Sequence, residues 1–456
     1  RGHVRLGRRG ACMCDVRPFC GLRYNLQRID DPSTVITPPY DVISPEERSL
    51  YYHLSPFNTI RLEFGEELPD DSPDNNKYTR AAATLNDWLQ EGVLTREKRP
   101  ALYIVEHCFP YQDTERSRWG LIVRVGLEDS EKGRIHPHER TRKEPAVDRL
   151  HLLRSCHANI SPIMGLFRTE KGEVSTYLRE LSKTEPDVSA TDNYGVRYHL
   201  WVITDESAID KVNAFLVDKD IYIADGHHRY ETALRYQKEQ WAANPSHTGD
   251  EPFNFVMMSL MDSQDPGLVM LATHRLVRGL ESHRIAHLEE TISPYFDVEE
   301  LLPPLATLYD TIQNWLHTLE MRGRGDTILG LYGLHEQELC LLRLRRDANL
   351  QSLMKEEELK LWKDLDVVLL QRIILQAALG IDTPEKEAKH LEYTRDGLEA
   401  RTRVNSGEYQ LAFFLNPASV SSILDSAAAG MRLPQKSTYF HPKTPAGLVL
   451  NPLWND

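Results

Sequence analysis

The sequence predicts an α+β protein with mixed sheets flanked by helices. Short apolar runs of strand length recur between segments of helical periodicity, and no internal repeat or low-complexity linker separates them. From about residue 285 the pattern changes to helices and short strands. We therefore expect a first α+β region at 13–290, which carries the functional residues, and a C-terminal α+β region at 291–456.

The N-terminal elements have clear local signals. Ser44 followed by Pro45 predicts a helix start, with Ser44 as N-cap and Pro45 in the first turn. The segment TIRLEFG at 59–65 alternates and contains β-branched residues, which predicts a strand. Further on, an amphipathic helix is predicted, with one apolar face made of Ala83, Leu85, Trp88 and Leu89.

Later elements follow the same logic. PALYIVEHCFPY and SRWGLIVRVGLE predict two strands joined by a charged turn. RYHLWVITDE predicts another strand, and so do DIYIADG, FNFVMMSLMD and LVMLATHRLV. The apolar segment DLDVVLLQRIILQAALGI predicts a buried helix.

Composition excludes several classes of function. The net charge of −14 and the pI near 5.7 argue against a nucleic-acid partner, and the chain lacks an apolar run long enough for a membrane span. Six cysteines without a CxxC pair predict reduced thiols in a cytoplasmic protein and no metal knuckle. Residues 1–12, rich in arginine, are expected to be an extension without a role in folding.

The segment YIADGHHRYETAL places five unusual residues where a predicted strand meets a predicted helix: Asp225, Gly226, His227, His228 and Arg229. A helix N-terminus offers unpaired N–H groups and partial positive charge, and a glycine before it lets a ligand approach the backbone. Arg229 in the first turn is disfavoured by the helix dipole unless an anion lies there. The junction therefore predicts a phosphate site, in which the histidines also donate and Asp225 orients a hydroxyl or a metal.

Two alternatives stay open for this junction. One is a turn whose histidines bond to nearby backbone, and the other is a metal site that uses the adjacent His227 and His228.

The segment ADGHHRYETA resembles the signature of the domain-of-unknown-function 1015 family. Its other marks are also present: PPYDVIS, HPHERT followed by DRL and ANISPI, THR, and KSTYFHPK. The resemblance extends from about Arg17 to Leu453. More distantly, the DGHHR turn is similar to the phosphate-binding turn of the ParB/sulfiredoxin fold, whose members include free-serine kinases. This second resemblance implies that residues 226–229 bind nucleotide phosphates, with ATP or ADP and Mg²⁺ as cofactors.

A second polar cluster lies in GRIHPHERTRKEPAVDRL. His136 and His138 alternate with a proline, so both side chains can face one way on an extended segment. Glu139 is the candidate base for an acceptor hydroxyl, a role that it could exchange with Asp225. A solvated charged loop and a metal site remain alternatives for this cluster, which also contains Arg140, Thr141 and Lys143.

Three further segments have two interpretations each. Asp148 and Arg149 could simply cap and pair on their helix, and Asn159 and Ser161 could contact substrate or secure a buried turn. Tyr40 and Asp41 could face a cleft or form a proline-stiffened turn. The loop KSTYFHPK could close over an anion through a set of basic and hydroxyl residues, namely Lys436, Ser437, Thr438 and Lys443.

These observations favour a phosphotransferase that acts on a small hydroxylated metabolite, for example free serine. We take Glu139, Asp225 and His227 as candidate catalytic residues and expect no resident metal ligand. The candidate nucleotide-binding residues are Gly226, His228, Arg229, His138 and Lys436. Two rivals remain: a metal-dependent hydrolase that uses the histidine clusters, and a non-catalytic nucleotide-binding switch.

Overall fold

A computed structural model describes residues 14–128, 133–139, 143–301, 308–335 and 339–454. The extension expected at 1–12 lies outside these residues, as do Arg140 and Thr141. The chain forms two compact units. Unit 1 comprises residues 1–137, 141–269 and 442–456, and unit 2 comprises 138–140 and 270–441. The division expected near residue 290 falls within unit 2.

The strands of the described residues, in chain order, are β1 Val16–Arg17, β2 Leu22–Tyr24, β3 Leu94–Arg96, β4 Leu102–Tyr111, β5 Thr114–Gly126, β6 Ile135–Pro137, β7 Ala158–Asn159, β8 Ile163–Phe167, β9 Val188–Thr191, β10 Arg197–Ile203, β11 Ile221–Asp225, β12 Phe255–Asp262, β13 Val269–Met270, β14 His274–Val277, β15 Phe296–Leu301, β16 Ile328–Tyr332, β17 Leu339–Leu344, β18 Leu391–Thr394, β19 Leu411–Phe414, β20 Phe440–His441 and β21 Asn451–Pro452.

The α-helices of the same residues are α1 Pro45–Leu54, α2 Ile60–Glu63, α3 Lys77–Gln90, α4 Lys143–Cys156, α5 Glu173–Leu181, α6 Glu206–Leu216, α7 His227–Ala243, α8 Ser282–Ala286, α9 Leu288–Ile292, α10 Leu308–Gly323, α11 Glu356–Trp362, α12 Asp366–Leu369, α13 Pro384–His390, α14 Gly397–Asn405 and α15 Val420–Ala428. A π-helical segment, Leu370–Ala378, continues α12. None of these helices is both long and apolar enough to cross a membrane.

Unit 1 is built on a mixed sheet with the strand order β6-β11-β8-β12-β5-β4-β10-β9, in which β1 also pairs with β5. The pairs β6–β11 and β8–β12 are parallel, and the other pairs are antiparallel. Strands β8, β11 and β12 are buried along their whole length, as expected for strands covered on both faces. The parallel strands β6 and β11 end at the same sheet edge, which brings the start of the HPHERT segment beside the end of β11.

Unit 2 has its own sheet with the order β15-β17-β16-β19-β14-β18, in which every described pair is antiparallel. Its core contains Trp315 and Leu319 of α10 packed with Tyr332, Leu341 and Phe414 of the sheet. Both units thus combine sheets and helices, and the predicted α+β class is confirmed.

Local signals predicted several boundaries correctly, but the single strand predicted for LVMLATHRLV is wrong, because this segment forms the separate strands β13 and β14. Ser44 and Glu47 form the reciprocal capping pair at the start of α1, with Pro45 in its first turn. The strand predicted for TIRLEFG is wrong: this segment forms the short helix α2, which buries Ile60, Leu62 and Glu63. A four-residue helix shows too little periodicity for the sequence to distinguish it from a strand.

The apolar face predicted for α3 is also partly wrong. The buried alanine of this helix is Ala81, whereas Ala83 is exposed, and Leu85 and Trp88 are buried as predicted. Ala81 lies four residues before Leu85, so these two side chains share a face that Ala83 does not.

Candidate functional site

The predicted strand-to-helix junction is present in unit 1. Strand β11 ends at Asp225, and α7 begins at His227 and extends over 17 residues. Gly226 is the N-cap, with φ of +90°, and as a glycine it contributes no capping side chain. A left-handed cap without a side chain allows another group to approach the backbone closely at the positive end of the helix dipole, and the guanidinium of Arg229 makes such an approach.

The backbone of Gly226 makes substitution at this position costly. A Cβ atom here would lie 2.9 Å from Arg229 Nε, in a conformation that L-residues rarely adopt. We expect Gly226→Ala to lower the free energy of unfolding by at least about 1–2 kcal/mol, the cost of the left-handed region alone. Denaturant unfolding followed by circular dichroism measures this loss.

Gly172→Ala is the matched control for that substitution. Gly172 is the left-handed N-cap of α5, with φ of +67°, and a Cβ there would have no atom within 4 Å. Gly172→Ala therefore carries the cost of the left-handed backbone conformation without a close contact between the new Cβ and another side chain. Equal losses for the two variants would show that the approach to Arg229 contributes nothing.

Asp225 is the charged centre of the junction. Its Oδ1 accepts a hydrogen bond from Lys443 Nζ, and its Oδ2 accepts one from Arg229 Nη2 at 2.6 Å. Burial alone would raise the pKa of this carboxyl, but Lys443 and Arg229 outweigh burial and hold the pKa well below its usual range. Asp225 therefore stays ionised throughout the physiological pH range and is a weak proton acceptor.

Arg229 connects Asp225 to the preceding loop. Its Nη1 donates to Ser161 Oγ at 3.0 Å and to the carbonyl oxygen of Pro162 at 2.8 Å, while its Nε has no partner among the described residues. The sequence suggested an external anion opposite Arg229. In the structure the anion that this guanidinium contacts is Asp225, one helical turn before it.

A buried network continues from Ser161. Its hydroxyl donates to Glu63 Oε1 at 2.8 Å, and Arg149 Nη1 donates to the Glu63 carbonyl oxygen at 2.7 Å. The guanidinium of Arg149 also lies 4.0 Å from the centre of the Tyr40 ring. Glu63, Arg149, Ser161 and Arg229 line a cavity of about 40 Å³, which has room for roughly one to three water molecules and is too small for a metabolite.

Sequence reasoning missed Glu63 and placed Lys443 in a loop that could close over an anion, whereas in the structure Lys443 pairs with Asp225. Glu63 is only 2% exposed, although it lies in a segment for which a half-buried strand was predicted. The sequence signal was an acid within an apolar stretch, and the partners of Glu63 include Arg149 in α4, 86 positions away, and Ser161, 98 positions away. Asn159, in β7, links strands and does not secure a turn, because its Oδ1 accepts from the amide of Met257 in β12 at 3.0 Å and from Asn451 Nδ2 in β21 at 2.8 Å.

The other predicted residues are divided between the two units. His136 is in unit 1, where its ring stacks on Tyr222 at 5.2 Å. His138 and Glu139 belong to unit 2. There His138 Nε2 lies 3.0 Å from Thr438 Oγ1, and Glu139 forms a parallel bridge with Leu433.

Lys436 is also in unit 2, where it is exposed and has a left-handed backbone with φ of +55°. In α7, His227 is buried and His228 is half-buried. Within the described ranges, no group of three close metal-ligating side chains includes any of these four histidines.

The profile described as "Protein of unknown function (DUF1015)" matches residues 16–368 of this chain. The chain belongs to the DUF1015 family. This membership confirms the resemblance carried by ADGHHRYETA, PPYDVIS and KSTYFHPK, although the last motif lies beyond the matched residues. No curated protein matches the DUF1015 chain.

Solved structures show weak likenesses to the DUF1015 chain. A conserved hypothetical protein from Pyrococcus furiosus is 14% identical, with 72% of this chain and 93% of that chain covered and a TM-score of 0.33. A free serine kinase in complex with AMP is 13% identical, with 70% and 86% covered and a TM-score of 0.33. A variant of free serine kinase in complex with ADP is also 13% identical, with 73% and 92% covered and a TM-score of 0.34. At these scores the likenesses carry no argument about activity.

Proposed function

We propose that this protein is a nucleotide-dependent phosphotransferase that acts on a small hydroxylated metabolite. The observation that supports the proposal is the left-handed Gly226 cap, which opens the N-terminus of the 17-residue helix α7 at the end of a buried strand. Two cations, Arg229 and Lys443, lie beside it. ATP and ADP are the first nucleotides to test, and free serine is the first acceptor, because the DGHHR turn resembles that of free-serine kinases.

In this mechanism the first-turn amides of α7, including those of His227 and His228, donate to phosphate oxygens. The helix dipole then stabilises the negative charge that develops on the transferred group. Arg229 and Lys443 already neutralise Asp225, so a phosphate at the helix start does not meet an uncompensated carboxylate. Catalysis would rest on positioning and electrostatics.

Asp225 fits a positioning role better than a metal-ligating or basic one. Both of its oxygens accept hydrogen bonds from cations, and its lowered pKa makes it a poor proton acceptor. When Mg²⁺ accompanies the nucleotide, it supplies charge neutralisation of the phosphates. Glu139 stays the predicted base, and Glu139→Gln should lower turnover while leaving nucleotide binding unchanged.

Nucleotide binding is tested by thermal unfolding of the full chain with ATP, ADP, CTP or pyrophosphate in the presence of Mg²⁺. A ligand that binds only the folded state raises the unfolding temperature. We expect a rise with at least one nucleotide and a smaller rise in His228→Ala and Arg229→Lys. The lysine retains the charge but loses the forked geometry of the guanidinium. Arg235→Ala is the control, because Arg235 lies further along the same helix and is 59% exposed.

Transfer is tested separately, by mass spectrometry of reactions that contain nucleotide and serine. Phosphoserine formed at the expense of the nucleotide supports the kinase. Nucleotide binding without product from serine or other hydroxylated metabolites, but with a change in assembly state, supports a binding switch instead. If no phosphate compound raises the unfolding temperature, the proposed phosphate site is wrong.

A further inference from the structure

Three potential metal ligands converge on one face of the unit 1 sheet, on the antiparallel strands β4 and β10. Glu106 and Cys108 are two residues apart on β4, so their side chains point to the same face. His199 on β10 lies directly opposite Glu106 in the strand register. One ligand atom from each of the three residues lies within 4.8 Å of those of the other two.

We propose that Glu106, Cys108 and His199 form a Zn²⁺ site that links β4 to β10. Imidazole nitrogen, thiolate sulfur and carboxylate oxygen are the three protein donors that zinc uses, at about 2.0–2.3 Å from the ion. Ligands at those distances lie up to about 4 Å apart around a tetrahedral ion, so small side-chain rotations close the site. Solvent would occupy the fourth position.

Neighbouring groups hold two of the ligands in place. Ser189 Oγ lies 2.9 Å from Nδ1 of His199, and Ser117 Oγ donates a hydrogen bond to the Glu106 carboxylate. Metal-binding histidines and carboxylates are commonly oriented by such outer hydrogen bonds. Ser189 and Ser117 thus orient two of the proposed ligands, His199 and Glu106, without being ligands themselves.

The charges of the site also suit a divalent ion. Cys108 is 8% exposed and carries a thiol, and the neighbouring Glu106 carries a carboxylate. Zinc binding replaces the thiol proton, which leaves for solvent as the Zn–S bond forms. The thiolate and the carboxylate then balance the two positive charges of the ion.

This site is separate from the α7 junction in both residues and chemistry, so the proposal does not depend on the phosphotransferase. It uses a different strand pair, β4 and β10, at residues that the sequence separates by about 90 positions. Cys108 alone carried no signal in the sequence, because its partners come from one residue on its own strand and one on a neighbouring strand.

The test is a Co²⁺ titration of the full chain after treatment with chelator, followed by absorption spectroscopy. Cobalt substitutes for zinc and reports a bound thiolate by a charge-transfer band. We expect binding of one ion per chain, with thiolate absorption and release of about one proton. Zn²⁺ should displace the cobalt and raise the unfolding temperature.

Substitutions assign the ligands. Cys108→Ser should abolish the thiolate band, and His199→Ala should weaken binding by more than about 100-fold, since loss of a group that merely orients a ligand costs about 10- to 100-fold. The control replaces Cys12 and Cys20 with serine and should leave the spectrum unchanged. Circular dichroism shows whether each variant is folded. If Cys108→Ser is unstable, His199→Ala provides a second test, because His199 is only half-buried.

A spectrum without thiolate absorption overturns the proposal. The same holds if the spectrum persists in Cys108→Ser, or if it disappears in the control that lacks Cys12 and Cys20.

Discussion

Replacing Arg229 with alanine is expected to lower the free energy of unfolding by about 3 kcal/mol at pH 7, the lower end of the range for breaking a buried ion pair. The side chains of Arg229 and Asp225 are each 11% exposed, and the substitution removes one of the two cations that compensate Asp225. It also leaves the Pro162 carbonyl without this donor. Lys443 still pairs with Asp225, which keeps the loss from being larger.

The effect of pH follows from the direction of the Asp225 shift. The pKa of Asp225 is lowered in the folded state, so its pairing stabilises the protein above the unfolded carboxyl pKa of about 3.9. That contribution is lost as the pH falls from there towards the folded pKa. A double-mutant cycle with Asp225→Asn and Arg229→Ala should therefore give a constant coupling energy from pH 5 to 8 and a smaller one below pH 4.

Denaturant unfolding of the four proteins in that cycle provides the measurement. Arg235→Ala serves as the control, because Arg235 pairs with Glu239 at the surface and its loss should cost less than about 1 kcal/mol. A loss for Arg229→Ala no greater than that of the control would contradict the role of the Asp225–Arg229 pair in holding the junction.

Replacing Asp366 with asparagine is expected to stabilise the protein by about 2–4 kcal/mol at pH 8, given that each pKa unit corresponds to about 1.4 kcal/mol. Burial raises the pKa of Asp366 to about 7, and this carboxyl has no cation partner among the described residues. Its Oδ2 accepts a hydrogen bond from the backbone amide of Asn416 at 3.1 Å, which an asparagine oxygen can also accept. The side chain of Asn416 and the backbone amide of Asp366 donate to the same carboxyl, but burial outweighs these bonds.

The pH dependence of stability expected from Asp366 has the opposite sign to that expected from Asp225. Because the folded pKa of Asp366 lies above the unfolded value, the folded state binds more protons between about pH 4 and 7. The stability of the unsubstituted protein should therefore fall relative to Asp366→Asn across that range and then remain level above pH 8. Asp366 lines a polar cavity of about 240 Å³ in unit 2.

Denaturant unfolding at pH 5 and pH 8 measures this change. Asp364→Asn is the matched control, because Asp364 lines the same cavity but its side chain is 75% exposed. A gain for Asp366→Asn that does not grow between the two pH values would show that Asp366 is ionised without cost in the folded protein.

Features decided by neighbouring residues could be predicted from the sequence alone. The capping pair of Ser44 and Glu47, the apolar strands β11 and β12, and the glycine turn before α7 depend on interactions within a few residues. Local sterics and the arrangement of backbone donors determine these features, and both are encoded in short stretches. The family signature at residues 224–233 is local in the same sense.

Tertiary structure decided which side chains meet. The sequence suggested an external anion for Arg229, but folding supplies Asp225 as its partner and adds Lys443 from 218 positions further on. Glu63 joins Ser161 across 98 positions, and His199 reaches Glu106 only through the register of β4 and β10. Such contacts depend on how distant segments pack and pair in the sheet. Burial and strand register are properties of the whole chain, whereas secondary-structure propensity is a property of a short segment.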